Sequence, residues 1–179
     1  PPDTTILPMF NELSTEPLGF GSTWCGLSYD GSELLITSET GGYIWAVPHD
    51  LNGVPLAEEI QIATREDAGE QQIADHVQLF ENGRHLVAFS VSGEGQGGDL
   101  FLLQLNTELE RIALDQLLSD DPPTNDMFMV SNDNGIGIGT FEPGVGHQIL
   151  ALDSDYVLKD PVTIGGGEAV HANGASGVY

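Results

Sequence analysis

The sequence predicts an all-β chain made of repeated four-stranded antiparallel units. Three observations carry that expectation. Turns ending in glycine recur along the chain, each opens onto an apolar extended run, and two further extended runs follow before the next such turn. The 23 glycines and 10 prolines among the 179 residues are scattered rather than gathered into a tract. That is how turn residues are distributed in an all-β chain.

The turns come first. Tyr29-Asp30-Gly31 leads into residues 32–37, Glu81-Asn82-Gly83 into 84–89, and Asp133-Asn134-Gly135 into 136–141. Gly31, Gly83 and Gly135 are evenly spaced; Ala172-Asn173-Gly174 follows at a shorter interval and opens onto 175–179. Asp-Gly and Asn-Gly favour two-residue hairpins because a type I′ turn needs positive φ at both central positions. Each turn is therefore expected to join two antiparallel strands.

A third strand is expected at 43–47, 99–103 and 148–152, where short apolar runs are rich in branched or aromatic residues, as in a strand buried on both faces. Polar turns follow at 49–53, 106–108 and 153–155, and a fourth, weaker strand at 59–63, 111–114 and 161–164. Residues 108–118 also carry helical spacing, with Leu109, Ile112, Ala113 and Leu117 on one face, but read better as a strand followed by a loop.

Four strands in roughly 40–50 residues is the spacing of a β-propeller blade. A blade is apolar on both faces and must stack on its neighbours, which explains strands that lack one polar side. The units fall at about 24–66, 75–118 and 125–166, with the start of a fourth at 167–179. Residues 70–76 and 115–126 read as connections, and residues 1–20 as a linker or a strand from a preceding blade. The chain begins at Pro1 and ends at Tyr179 within a turn-to-strand step, as expected of a piece of a longer chain. Three and a half blades make an incomplete ring with open faces, so self-association is expected. A β-sandwich or an open sheet is the alternative.

The units resemble the TolB-type or WD40-like propeller repeat. Unit one carries Ser28-Tyr29-Asp30-Gly31 with Leu34-Leu35-Ile36 and then Ile44-Trp45. Unit two carries Glu81-Asn82-Gly83 with Leu86-Val87-Ala88-Phe89 and then residues 99–105. Unit three departs from the pattern, with Gly137 and Gly139 at aliphatic positions. The resemblance implies turn and core roles for the motif residues and transfers no catalytic residue. It also implies a protein-binding module, or a propeller that flanks a catalytic domain such as a peptidase, kinase or sensor.

Charge narrows the partners. There are 28 acidic residues against four basic ones (Arg65, Arg84, Arg111 and Lys159), for a formal net charge of −24. Such a surface repels phosphate backbones and anionic lipid, which argues against nucleic acid and against an anionic membrane surface. It fits a solvated acidic surface, and an extracellular or periplasmic setting. Cys25, the one cysteine, excludes an intrachain disulfide and is expected to be a small buried hydrophobe.

Few residues suggest chemistry. Gly93-Glu94-Gly95-Gln96-Gly97-Gly98 has dinucleotide-fingerprint spacing, but a strand follows it where a helix is required, so it reads as a hairpin loop. Gly137 and Gly139 suggest a tight backbone contact. His49, His76, His85, His147 and His171 form no zinc spacing and are expected on the surface or in loops. No nucleophile elbow occurs. The acids Glu58-Glu59 would point to opposite faces of a strand. The candidate metal ligands are Asp120, Asp121 and Asp126 (with Ser119 and Asn125) and Asp153 and Asp155 (with Ser154). They offer oxygens to calcium without matching a known calcium loop.

The expectation is a non-catalytic propeller module that binds a protein or ligand through its end loops and holds no cofactor. The alternatives are the propeller of a larger enzyme with its catalytic residues elsewhere, and a calcium-stabilised extracellular module.

Overall fold

The computed structural model describes residues 25–69, 71–92, 99–118, 125–132, 135–142, 146–159 and 162–165. They form twelve strands in three sheets. The first sheet holds β1 (Cys25–Tyr29), β2 (Leu34–Thr40), β3 (Tyr43–His49) and β4 (Ile60–Ala63). The second holds β5 (Gln72–Glu81), β6 (Arg84–Ser92), β7 (Leu100–Leu105) and β8 (Arg111–Leu118). The third holds β9 (Asn125–Asn132), β10 (Gly135–Glu142), β11 (Gly146–Leu152) and β12 (Val162–Gly165). Each sheet is an antiparallel meander in sequence order, which is the wiring of a propeller blade.

Neighbouring blades stack face to face, with the first strands β1, β5 and β9 side by side. Blade two shows why its strands are apolar throughout. Val87, Phe89 and Val91 of β6, with Phe101, Leu103 and Leu105 of β7, pack towards blade one against Leu35, Ile44, Ala46 and Ile62. The alternate residues, Leu86 and Ala88 of β6 with Leu100 and Leu102 of β7, pack towards blade three against Ile136, Ile138, Leu150 and Tyr156. Side chains of a strand alternate between faces, so both parities must be apolar here. Phe89 and Phe101 are cross-strand partners whose rings stack 5.3 Å apart. A side chain of this size contributes about 1.5–3 kcal/mol when fully buried.

The ring is not closed. On the face of blade one turned away from blade two, Leu27 and Tyr29 are about half exposed. Cys25 shares that side of β1 and is exposed. The expectation of a buried thiol is therefore corrected: the alternation of β1 sends Ser28 into the seam and Cys25 outward.

The turns at Gly31, Gly83 and Gly135 each lie between two antiparallel strands, as expected, but their geometries differ. Asn82 and Gly83 have φ of 50° and 74° between the paired residues Glu81 and Arg84, a two-residue hairpin with positive φ at both central positions. In blade one the loop is longer. Tyr29 pairs with Leu34, and Asp30 Oδ1 accepts the backbone N–H groups of Ser32 and Glu33. In blade three Gly135 already pairs with Asn132, so the loop is residues 133–134, which lie outside the described residues, and the glycine opens the strand. Another two-residue turn, Gly41-Gly42 with φ of 66° and 84°, joins β2 to β3.

The connections are shorter than the sequence suggested. β5 begins at Gln72 rather than after His76, β8 runs on to Leu118, and β9 starts at Asn125. Residues 1–24, the glycine-rich segment 93–98, residues 119–124 and the fourth repeat beyond Gly165 lie outside the described residues.

Candidate functional site

The loops joining β1 to β2, β3 to β4, β7 to β8 and β11 to β12 gather at one end of the blades, because antiparallel meanders return every second connection to the same side. Three of them share one construction. Asp50, Asn106 and Asp153 each donate a backbone N–H to the carbonyl of the residue four positions on: Val54, Glu110 and Val157. In each loop the side-chain oxygen of the first residue also accepts that partner's N–H, at 2.8, 2.7 and 3.0 Å. The fourth residue of each takes positive φ: Gly53 at 79°, Leu109 at 63° and Tyr156 at 63°. The two non-glycine side chains turn back into the seams. Leu109 packs against the core between blades one and two, and Tyr156 lies in the core between blades two and three. That burial holds a backbone conformation costing roughly 1–2 kcal/mol in isolation.

Two clefts open at this end, one at each seam. The larger, about 280 Å³, lies between blades one and two. Its floor is apolar (Leu34, Leu35, Pro48, Ile60 and Leu109), and its rim carries Asp30, Glu33, Glu58 and Glu108. No Lys or Arg lines it. The smaller, about 240 Å³, lies between blades two and three and is lined by Glu81, Asn82, Asn132, Asp153 and Tyr156. Burial pushes the Asp30 carboxyl up, but hydrogen bonds from Glu33 and Ser32 outweigh it and hold the group below its ordinary value. It is therefore an anion at neutral pH.

The histidine expectation is overturned for three residues. His49, His76 and His85 are buried strand residues. His76 Nε2 lies 2.8 Å from Thr37 Oγ1 across the first seam. Burial lowers its pKa to about 4. His85 reaches across the same seam to Ser28 Oγ, at 3.3 Å from Nδ1, and lines the larger cleft. Burial lowers its pKa too, against the pull of the Asp30 carboxylate. His49 Nδ1 lies 2.9 Å from the Val47 carbonyl. No short-range spacing marks His76 or His85, because their partners lie in the neighbouring blade, whereas His49 turns back on its own strand. His147 and His171 contribute no described side chain.

Of the metal candidates, Asp153 and Asp155 have described side chains. Asp153 caps its own loop, with Oδ1 accepting the N–H groups of Asp155 and Val157, and Oδ2 sits 2.6 Å from Lys159 Nζ. The Lys159 ammonium holds its carboxyl below the ordinary value. Asp155 is exposed on the same loop. Asp126 belongs to β9 and its side chain is outside the described ones, as are Asp120 and Asp121 altogether. Among the described residues no group of three or more His, Cys, Asp or Glu is arranged to hold a metal ion. Glu58 and Glu59 are both exposed, and of the two only Glu58 lines the larger cleft.

All four basic side chains are engaged within the protein. Arg111 forms a two-pronged pair with Asp67 across the first seam, at 2.6 and 2.7 Å. Arg84 donates to Gln104 and lies over the Tyr156 ring at 5.4 Å. Arg65 donates to the Gly41 carbonyl, and Lys159 meets Asp153. Asp153 is thus paired with Lys159, whereas Asp30, Glu33, Glu58 and Glu108 around the larger cleft have no Lys or Arg among its lining residues.

No protein-family model matches the chain, and no curated protein matches it. Solved structures do. A neuraminidase-like protein from A/bat/Guatemala/164/2009 superposes with a TM-score of 0.57 at 9% identity, over 77% of this chain and 37% of that one. GH43B of the Bacteroides ovatus xyloglucan PUL gives 0.54 at 12% identity, over 83% of this chain and 32% of that one. The GH43 endo-arabinanase from Bacillus licheniformis gives 0.51 at 14% identity, over 80% and 53%. The chain thus spans between about a third and a half of the length of these structures. At such identities the likeness is one of fold, and the fold is that of a β-propeller.

Proposed function

We propose that the chain is a non-catalytic propeller module that binds a protein partner through the loop end described above. The observation that carries this reading is the cleft between blades one and two. It combines an apolar floor with a carboxylate rim and opens where loops of two blades meet. Loops on a rigid scaffold are where binding residues concentrate. An extracellular or periplasmic setting belongs to the same proposal, supported by the uncompensated acidic surface.

The test is selection of a displayed random-peptide library on the immobilised 179-residue chain at about 0.15 M salt, where long-range attraction is screened. The expected result is enriched peptides that no longer bind a Glu33→Lys/Glu58→Lys/Glu108→Lys variant and still bind Glu66→Lys, at the opposite end. No enrichment, or binding that follows Glu66, overturns the proposal.

A second reading, a propeller segment of a longer carbohydrate-active enzyme, is favoured by the superposition on the two GH43 structures and by the share of their length that this chain spans. Binding of arabinan or xyloglucan oligosaccharide by the chain would support it.

A further inference from the structure

We propose that the cleft between blades one and two is a receptor for a single arginine or lysine side chain of the partner. This rests on the binding reading above and names the group that occupies the site. Three features converge. The rim supplies Asp30, Glu33, Glu58 and Glu108, with no Lys or Arg among the lining residues. The floor supplies Leu34, Leu35, Pro48, Ile60 and Leu109, a surface suited to the aliphatic stem below a charged head. His85 lines the cleft although its residue is only 3% exposed. Its Nδ1 is paired with Ser28.

Burial lowers the pKa of the His85 imidazole, against the pull of Asp30, so at neutral pH the ring does not repel a cation. Asp30 Oδ1 already accepts three hydrogen bonds, from the Ser32 N–H, the Ser32 hydroxyl and the Glu33 N–H. Oδ2 carries the part of that carboxylate left for a ligand. An anionic group would meet four acids here and no Lys or Arg. A fully apolar group would leave those acids facing it without a counter-charge. A cationic head on an aliphatic stem satisfies floor and rim together.

The test is titration of the ¹⁵N-labelled chain with N-acetyl-arginine methylamide at about 0.15 M salt, beside the uncharged isostere N-acetyl-citrulline methylamide. The expected result is saturable shifts confined to amides of residues 30–35, 57–60, 85 and 107–109. Citrulline should bind about tenfold more weakly or worse, and the Glu33→Gln/Glu58→Gln variant should lose about tenfold in affinity for the arginine probe. Both glutamates lie at the surface, and the amide spectrum of the variant shows directly that its fold is kept. Shifts spread over the surface without saturation, equal binding of citrulline, or displacement of the probe by millimolar calcium at these same amides overturns the proposal. If library peptides map to the cleft but carry no basic residue, the binding reading stands and this inference falls. If nothing maps to the cleft, both fall.

Discussion

His76 on β5 and Thr37 on β2 meet across the seam between blades one and two, with Nε2 2.8 Å from Oγ1 and both residues buried. The pair is one of several polar stitches across a largely apolar contact, and it ties the innermost strand of one blade to the second strand of another. Thr37→Val should leave the imidazole without its partner and lower unfolding stability by about 1–3 kcal/mol. Urea denaturation at pH 7.5 measures it, and a change below a few tenths of a kcal/mol would show that the bond does not hold the seam.

Acid should act through the same residue. His76 has a folded pKa of about 4 against 6.5 for the free side chain. Between those values the unfolded chain binds the extra proton and the folded one does not, so stability falls as pH drops from about 6.5 towards 4. The loss should approach about 3 kcal/mol, and His76→Gln should flatten it. Asp67, held low chiefly by Arg111, adds a second loss only below the ordinary carboxylate range. Denaturation midpoints at half-unit steps from pH 7.5 to 4 separate the two; a flat wild-type profile above pH 5 would contradict the first.

The Arg111–Asp67 pair joins β8 to the turn Glu66–Ala68 that follows β4, and Arg111 also reaches the Ile62 carbonyl. Both partners are part-exposed, so the expected cost of Arg111→Ala is only about 1 kcal/mol after solvent screening. Arg111→Lys should recover less than half of it, since an ammonium cannot make the two-pronged contact. Equal stability of the lysine variant and the wild type would mean that charge alone suffices.

Gly139 on β10 pairs with Phe128 on β9, and a Cβ added at Gly139 would run into the Phe128 ring. Gly139→Ala should therefore destabilise by about 1–3 kcal/mol. Phe128→Leu should relieve part of that cost in the double variant, a coupling that a double-mutant cycle reads directly. Additive effects would show that the close approach is not what keeps the glycine.

The three shared loops predict a graded response. Asp50→Ala, Asn106→Ala and Asp153→Ala each remove a side-chain acceptor for backbone N–H groups, at a cost on the order of 1 kcal/mol for Asn106. Thermal melts of the three variants should all shift downward. Tyr156→Gly should also destabilise despite relieving positive φ, because it removes a side chain from the core between blades two and three; a more stable glycine variant would reverse that account.

The sequence alone determined the strands and their grouping. Turn glycines, apolar runs and polar loops are local signals; they located the second, third and fourth strands of each blade to within a few residues and implied a first strand before each turn. It also determined that blade-two strands are apolar on both faces, because that follows from composition along the strand. The tertiary structure decided what local signals cannot carry. Asn106 and the two aspartates hold equivalent places in their loops, but only the shared hydrogen-bond geometry reveals it. Seam contacts join residues 39 and 57 positions apart, as in Thr37 with His76 and Ser28 with His85. Periodicity says that a side chain leaves one face of a strand. It does not say which blade covers that face, so the burial of the histidines, the exposure of Cys25 and the acidic cleft emerge only when the blades are stacked.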